Sequence, residues 1–217
     1  GSSKLVICAI DPISFYDYVL KDAPLSIKHK KEERSTSGLV FYWGIDTKIP
    51  ELGLHNILFS KDYEGEFNTI FKEQKNSLEP TIYIHISSLL NPNDATENGQ
   101  NLFVMINTSS IDTTDDVYME KMKQYIIDKI REQFKIDIRN HIVTENYWDK
   151  ASIESLTGSY QGALYGAASN KFDSALKRHP NKIKKYDNLY FCGGAVHPGG
   201  GIPLVLRSAK IVANLIT

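Results

Sequence analysis

The sequence predicts an α+β protein in which a mostly antiparallel mixed sheet is accompanied by helices. Four strand-like segments follow one another between residues 38 and 107, and the short connections between them favour antiparallel pairing. Residues 113–134 have the apolar spacing of one long helix. An apolar strand, a glycine-rich loop and a helix then follow one another between residues 188 and 216.

The chain begins with an apolar segment, residues 4–10, that is typical of a buried strand. Asp11 and Pro12 indicate a turn after it. Residues 13–37 predict one or two helices followed by a charged loop.

The middle of the chain supplies the strands of the predicted sheet. Residues 81–86 alternate strictly between the two faces, which is the pattern of a half-buried strand. A short amphipathic helix is predicted within residues 62–75. The other predicted strands of this sheet are residues 38–45, 55–60 and 101–107.

The long helix is expected to begin near Thr113, because the Thr-x-x-Asp pattern ending at Asp116 resembles a capping box with Asp in place of Glu. Its apolar stripe is interpreted as a core face. A strand at residues 141–148 follows, and residues 155–177 contain three glycines spaced by four, at Gly158, Gly162 and Gly166.

Residues 193–203 form the most informative segment of the chain. Its glycines permit the backbone to approach a ligand closely, and Pro203 is favoured where a helix begins. The glycines leave the helix N-terminus uncovered, so its N–H groups favour an anionic or electron-rich partner. A plain strand-to-helix turn is the alternative. The spacing is neither GxGxxG nor a P-loop, so a pyrophosphate cradle is not predicted here.

The segment NLYFCGGAVHPGGGIPLVLRSAK, residues 188–210, resembles the C-terminal signature of bacterial-type phytoene desaturases, which are FAD-dependent carotenoid desaturases. The order of the upstream elements is similar too, so the resemblance covers nearly the whole chain and about the C-terminal half of the family's usual length. It implies a substrate-type α+β domain at residues 38–150. Residues 1–37 would then be a strand and linker of the FAD-type domain, residues 151–217 a return segment with the flavin loop, and the N-terminal Rossmann half would be absent.

The resemblance implies that the loop meets the isoalloxazine end of FAD. His197 would lie beside the flavin without acting as a general base, and no residue is assigned a catalytic role. The family binds the ADP part of FAD with an N-terminal strand–GxGxxG–helix, so we expect this chain alone to bind FAD weakly or not at all and to lack desaturase activity. The implied cofactor-binding residues are Gly193, Gly194, His197, Pro198, Gly199, Gly200, Gly201, Ile202 and Pro203.

Four aromatic residues are candidates for lining an apolar substrate site. Tyr160 and Tyr165 lie in the segment GSYQGALYG, which resembles a segment of the family and has a packed glycine-rich crossing as its alternative interpretation. Phe41 and Trp43 lie in an aromatic strand, for which packing in the core is the default interpretation.

Composition excludes several classes of protein. A net charge of −1 argues against nucleic acid as the main partner, and the basic stretches at residues 28–31 and 182–185 are interpreted as solvated loops rather than anionic-membrane contacts. Cys8 and Cys192 are expected to be buried reduced thiols of a cytosolic protein, and no Cys/His spacing predicts a metal site. No apolar run approaches the ~18 residues of a membrane span.

The predicted parent protein dehydrogenates a carotenoid or similar apolar polyene by hydride transfer to flavin. Its expected partners are that polyene and the missing N-terminal FAD-binding half, with peripheral contact at the inner face of the membrane. A retinol-saturase-like or amine-oxidase-like flavoprotein is an alternative. A stand-alone, non-catalytic binding module is another, and an exposed apolar patch where a missing domain would dock favours the fragment over the module.

Overall fold

The computed structural model describes residues 3–21, 23–168 and 178–217. The predicted return segment at residues 151–217 therefore includes nine residues, 169–177, that lie outside the described part. The chain folds into two compact units. Unit 1 comprises residues 1–36 and 151–217, and unit 2 comprises residues 37–150.

Strands and helices are interspersed along the chain. The strands are β1 (Val6–Cys8), β2 (Ser37–Ile45), β3 (His55–Leu58), β4 (Ile82–His85), β5 (Gln100–Thr108), β6 (Ile142–Trp148) and β7 (Leu189–Phe191). The helices are α1 (Pro12–Ser14), which continues as the π-helical segment Phe15–Leu20, then α2 (Ala23–Lys30), α3 (Tyr63–Phe71), α4 (Asp116–Phe134), α5 (Lys150–Thr157) and α6 (Ile202–Ile216).

Unit 2 contains a five-stranded sheet in the order β3-β4-β5-β2-β6. Every neighbouring pair of strands in this sheet is antiparallel. Unit 1 contains a small parallel sheet, in which β1 pairs with β7. The predicted α+β class with a mostly antiparallel sheet is confirmed.

One face of the five-stranded sheet packs against α4. Along β5 the even-numbered residues are buried and the odd-numbered residues are half-buried up to Asn107, which is the period-two pattern of a strand with two unlike faces. The apolar stripe of α4 completes this core, as its helical spacing predicted. The helix residues with no exposed surface are Met122, Ile126, Ile127 and Ile130.

The start of α4 differs from the prediction. The Asp115 side chain accepts the Tyr118 backbone N–H at 2.8 Å, so Asp115 is the N-cap and the helix begins at Asp116. An Asp side chain at the N-cap accepts the N–H of the third helical residue as readily as a Thr side chain does. Thr113 therefore lies before the helix and does not cap it.

Unit 1 brings the two ends of the chain together. Val6 is opposite Leu189 and Cys8 is opposite Phe191. Phe15 and Tyr16 pack against the same strands in a small core. Parallel sheets normally bury both faces, and two strands alone are marginal; here Ile7 of β1 remains 50% exposed.

Helix α6 also carries exposed apolar side chains. Ser208 and Val212 are its buried residues, whereas Ile202 is 78% and Leu206 is 66% exposed. An apolar helix surface of this kind marks a contact with further protein or another apolar partner.

Candidate functional site

The loop between β7 and α6 requires glycine at three positions. Gly193, Gly199 and Gly201 have φ values of 117°, 139° and 94°. Residues with a side chain rarely adopt these backbone conformations. The three positive φ values therefore explain why the loop is rich in glycine. Gly201 is the N-cap of α6 and supplies no capping side chain, which leaves the first-turn N–H groups available to a ligand.

A buried hydroxyl bonds to the loop at two points. Ser208, on α6, donates to the His197 carbonyl at 2.9 Å and accepts the Gly193 N–H at 3.3 Å. Ser208 has no exposed surface. Ser208 therefore ties the loop to the helix that follows it.

Asn181 makes a second tie. Its amide nitrogen lies 3.0 Å from the His197 carbonyl oxygen, 2.9 Å from the Phe191 carbonyl oxygen and 2.9 Å from Ser208 Oγ. Asn181 and Ser208 are not among the site residues predicted from sequence. A polar residue on the buried side of an otherwise apolar helix was the signal that Ser208 offered.

Arg178 links the loop to the preceding glycine-rich segment. Its Nη1 donates to the Tyr165 carbonyl at 2.7 Å and to the Gly194 carbonyl at 3.2 Å. A Cβ added at Gly199 would lie 3.2 Å from Arg178 Nε. Arg178 therefore contacts the loop at Gly194 and Gly199, which are not the residues that Ser208 contacts.

The glycine-rich segment packs closely against this same loop. A Cβ at Gly166 would lie 2.7 Å from Ala195 Cα, and a Cβ at Gly200 would collide with the Tyr165 ring. Tyr165 is 49% exposed, so its ring covers Gly200 while remaining at the surface. Tyr160 instead lies between two cations, with Lys30 and Arg34 each 5.6 Å from its ring centroid.

His197 is held by its backbone. Its N–H donates to the His179 carbonyl at 2.9 Å, and its own carbonyl accepts the bonds from Asn181 and Ser208 described above. The peptide bond between His197 and Pro198 is cis. The remaining predicted loop residues, Ile202 and Pro203, form the first turn of α6.

A buried aromatic cluster lies behind the loop. The Tyr16 hydroxyl is 2.6 Å from His179 Nε2, and the His179 and His29 ring centroids are 4.8 Å apart. Burial, and then the nearby His29, lower the pKa of His179 from 6.5 to about 3. His179 is therefore neutral at physiological pH, and sequence alone gave no sign of this because its partners are far away along the chain.

Phe41 and Trp43 lie in the core of unit 2, with 2% and 1% of their surfaces exposed. Their rings stack at 5.2 Å, and Trp43 Nε1 donates to Glu145 at 2.7 Å. Phe41 and Trp43 are therefore core residues. The intervening Tyr42 lies on the other face of the sheet and is 37% exposed.

The two cysteines are free thiols. Cys8 is buried, and burial raises the pKa of its thiol to about 11. Cys192 is half-buried, so the prediction that both are buried is correct for Cys8 and only partly for Cys192.

Within residues 3–21, 23–168 and 178–217, no group of three or more His, Cys, Asp or Glu is arranged to hold a metal. Among the helices in these ranges, none is long and apolar enough to cross a membrane.

The fold is one also found in an oxidoreductase. A crystal structure of an oxidoreductase from Methanosarcina mazei superposes on 99% of this chain and 43% of its own, with a TM-score of 0.57 and 11% sequence identity. No protein-family model matches the sequence.

Curated relatives are more similar in sequence. A 1-hydroxycarotenoid 3,4-desaturase from Flavobacterium sp. is 46% identical over 215 residues, which are 99% of this chain and 44% of the relative. A 4,4'-diaponeurosporene oxygenase from Staphylococcus haemolyticus is 34% identical, over 86% of this chain and 38% of the relative. A 4,4'-diapolycopene oxygenase from Methylomonas sp. is 29% identical, over 99% of this chain and 44% of the relative.

The chain is thus a homologue, over nearly its whole length, of the C-terminal half of carotenoid desaturases and oxygenases. The resemblance that the sequence predicted is confirmed. The chain spans less than half the length of these relatives.

Proposed function

We propose that this chain is the C-terminal part of an FAD-dependent oxidoreductase that desaturates a carotenoid or a similar apolar polyene. The observation that carries the proposal is the glycine loop before α6, whose backbone is fixed by Ser208, Asn181 and Arg178. The names of the desaturase and oxygenase relatives support the polyene as substrate class.

The loop residues fit the electron-rich edge of a flavin ring. Gly199 and Gly201 bring backbone without Cβ atoms to the start of α6, where uncapped N–H groups and the helix dipole favour negative charge. FAD, when bound, supplies the two-electron acceptor that removal of a hydride from the polyene requires. The chain's own part is to hold these donors in place before the reaction, which is how fixed dipoles lower a barrier.

In the described parts of the chain, the loop before α6 could hold the isoalloxazine ring of FAD, but no element there could hold its pyrophosphate. The sequence contains no GxGxxG motif to cradle the pyrophosphate. We therefore expect the 217-residue chain to retain little flavin and to be inactive by itself. The exposed apolar surface of α6 and β1, with Ile202, Leu206 and Ile7, supports an N-terminal FAD-binding half as the partner.

The proposal is tested by flavin content. The purified chain is compared with a fusion in which the N-terminal portion of the Flavobacterium relative precedes residue 4. Near-stoichiometric FAD in the fusion, with far less in the chain alone, is the expected result. Stoichiometric flavin in the chain alone would refute the expected inactivity and incompleteness, and a fusion that folds without flavin would remove the proposed cofactor.

Loop variants of the fusion separate the loop from general stability. In Gly200→Ala the new Cβ meets the Tyr165 ring, and we expect reduced flavin content. Gly53→Ala is the matched control, because the nearest atom to its Cβ is 3.8 Å away.

The substrate class is tested by incubating the fusion with a carotenoid, a retinoid or an amine. Loss of hydrogen from the carotenoid is expected for a desaturase, whereas reaction of the retinoid or the amine would favour one of the two alternative flavoproteins.

We also infer peripheral membrane contact, since an apolar polyene resides in lipid. The π-helical segment and α2 expose Tyr18, Val19 and Ile27 by 77%, 60% and 55%. The basic residues 28–30, interpreted from sequence as part of a solvated loop, are instead the last residues of α2. The double variant Tyr18→Ser/Val19→Ser is expected to float with anionic vesicles several-fold less than wild type. Val117→Ser, at an equally exposed position on α4, is the control; equal flotation of all three proteins would contradict the inference.

A further inference from the structure

Arg34 and Asp11 form an ion pair that is buried inside unit 1. Arg34 Nη2 donates to Asp11 Oδ2, and the two side chains are only 6% and 2% exposed. The other carboxylate oxygen of Asp11 accepts the Ile13 N–H at 2.9 Å, so Asp11 is also the N-cap of α1. Arg34 is thereby attached to the turn that follows β1.

The backbone around Arg34 pairs with the end of the glycine-rich segment. Arg34 is opposite Ala167 in an antiparallel bridge. Three backbone hydrogen bonds of 2.8 to 3.0 Å join residues 33–36 to residues 164–168. The bonded pairs are Ser35 with Gly166, Ala168 with Glu33, and Leu164 with Thr36.

The Arg34 side chain also covers an aromatic ring at the start of the same segment. Arg34 Cζ is 5.6 Å from the centroid of the Tyr160 ring, a distance at which a cation is attracted to the face of a ring. A planar guanidinium can stack on a ring while it donates to a carboxylate, which the ammonium of a lysine cannot do in the same geometry. Arg34 therefore joins the turn after β1 to two points of the glycine-rich segment.

The part of the segment that pairs with residues 33–36 also packs on the loop before α6. The Tyr165 N–H donates to Ser35 Oγ at 3.0 Å, while the Tyr165 ring lies against Gly200 of the loop. Gly166 bonds to the Ser35 N–H and leaves no room for a Cβ beside Ala195. Tyr165 and Gly166 thus lie between the strand that contains Arg34 and the loop.

The stability of the fold does not by itself account for this ion pair. Burial raises the pKa of Asp11, although the charge of Arg34 opposes the shift. Among the residues that the structure describes, none accepts a hydrogen bond from Arg34 Nε, and a buried donor without an acceptor costs stability. Buried ion pairs in general stabilise a fold no more than apolar side chains of similar volume do.

We propose that Arg34 is a positioning residue for the loop before α6. It orders residues 160–168, and Tyr165 and Gly166 of that segment hold the loop. The proposal rests on the proposed function for the role of the loop as a flavin site, and it adds a side chain that acts on the loop through the glycine-rich segment.

The first test needs no flavin. Amide hydrogen exchange is measured residue by residue by NMR in the 217-residue chain and in Arg34→Lys, which keeps a positive charge but loses the planar fork. We expect the Leu164 and Ala168 amides to exchange about tenfold faster in the variant. The loop amides of Gly193 and His197 should also exchange faster.

The Val6 amide reports on unit 1 away from the segment. It donates to the Asn188 carbonyl at 2.9 Å, beside the pairing of β1 with β7. Its exchange is expected to stay as in wild type, because the effect of Arg34 on the segment and loop is local.

Two further variants separate the geometry of Arg34 from its charge. Arg139→Lys is the matched control, because Arg139 also donates to a carboxylate, that of Asp137, but is 40% exposed and lies in unit 2. Tyr160→Leu removes the ring that Arg34 covers and is expected to speed exchange at Leu164 and Ala168. The double variant Arg34→Lys/Tyr160→Leu should show less than the product of the two single effects, because the two groups act together.

The second test uses the fusion that carries FAD. We expect Arg34→Lys to weaken flavin binding about tenfold and to change the visible circular dichroism of the flavin that remains bound. Arg139→Lys is expected to change neither. A loss of stability alone would leave the spectrum of the bound flavin as it is in wild type.

Three results would overturn the proposal. One is equal exchange at Leu164 and Ala168 in wild type and Arg34→Lys. Another is exchange at Val6 that increases by the same factor, which would make the arginine a general stabiliser of unit 1. The third is an unaltered loop, seen as wild-type exchange at Gly193 and His197 or as an unchanged spectrum of the bound flavin. A fusion without flavin refutes the proposed function but leaves the exchange result standing, so the two proposals can fail separately.

Discussion

Ser208 is the side chain on which the loop before α6 depends most directly. Ser208→Ala removes one hydroxyl that serves the His197 carbonyl, the Gly193 N–H and Asn181. Buried groups left without partners cost about 1–3 kcal/mol. We expect the free energy of unfolding to fall by this amount in urea titrations, and the fusion to lose flavin.

Ser155→Ala is the control for this prediction. Ser155 also bonds to a carbonyl, that of Ser152, but in an exposed position on α5. Exposed substitutions of this kind change stability by about 0.5 kcal/mol or less. Equal stability loss in both variants would mean that the Ser208 hydroxyl is not the tie inferred from its geometry.

His179 makes the chain sensitive to acid. The unfolded chain takes up a proton near pH 6.5, whereas the folded chain resists protonation until about pH 3. The stability due to the neutral, buried imidazole is thus fully present above pH 6.5 and is lost as the pH falls below it, by about 1.4 kcal/mol per pH unit.

Replacement of His179 by glutamine tests this sensitivity. The His179→Gln amide does not titrate and still offers a group to the Tyr16 hydroxyl. We expect the slope of unfolding free energy between pH 6 and pH 4 to be shallower in the variant by about 1.4 kcal/mol per unit. Identical slopes in both proteins would place the acid sensitivity elsewhere.

At the scale of elements, the contact between the glycine-rich segment and the loop depends on Gly166. Its φ is 68°, and a Cβ would lie 2.7 Å from Ala195 Cα, which is backbone and cannot turn aside. Left-handed strain and overpacking together cost about 2–4 kcal/mol. Gly166→Ala should lower the melting temperature clearly, whereas Gly53→Ala should not; a neutral Gly166→Ala would show that the segment yields easily.

Elements were predictable from sequence where one local pattern decides them. The alternation of residues 81–86 and the stripe of α4 each depend on neighbours within the same element, and the structure reproduces both. The network around Asn181 and Ser208 was not predictable, because it joins residues separated by 27 positions through a loop whose path no local pattern determines. The contacts of the Tyr42 ring with Phe103 and Trp148 likewise depend on the register of the sheet, which sequence periodicity leaves open.

At the scale of the whole molecule, exposed apolar surface on α6 sets the behaviour of the isolated chain. Ile202 and Leu206 are 78% and 66% exposed. The chain by itself should therefore bind the hydrophobic dye ANS, and Ile202→Lys/Leu206→Lys should bind clearly less. Val143→Lys/Ile57→Lys replaces comparably exposed residues of unit 2 and should have a smaller effect. A larger effect of the unit 2 pair would place the main dye site on the sheet.

The pairing of β1 with β7 has a consequence for synthesis on the ribosome. Unit 2 is continuous in sequence and sits between the two segments of unit 1, so its residues emerge together and can collapse while translation continues. Val6 must wait for Leu189, its partner in the register. Until then β1 lacks β7, its parallel partner, and its apolar side chains are open to chaperones and to premature association. The time at which Leu189 leaves the ribosome therefore limits when Val6 can pair.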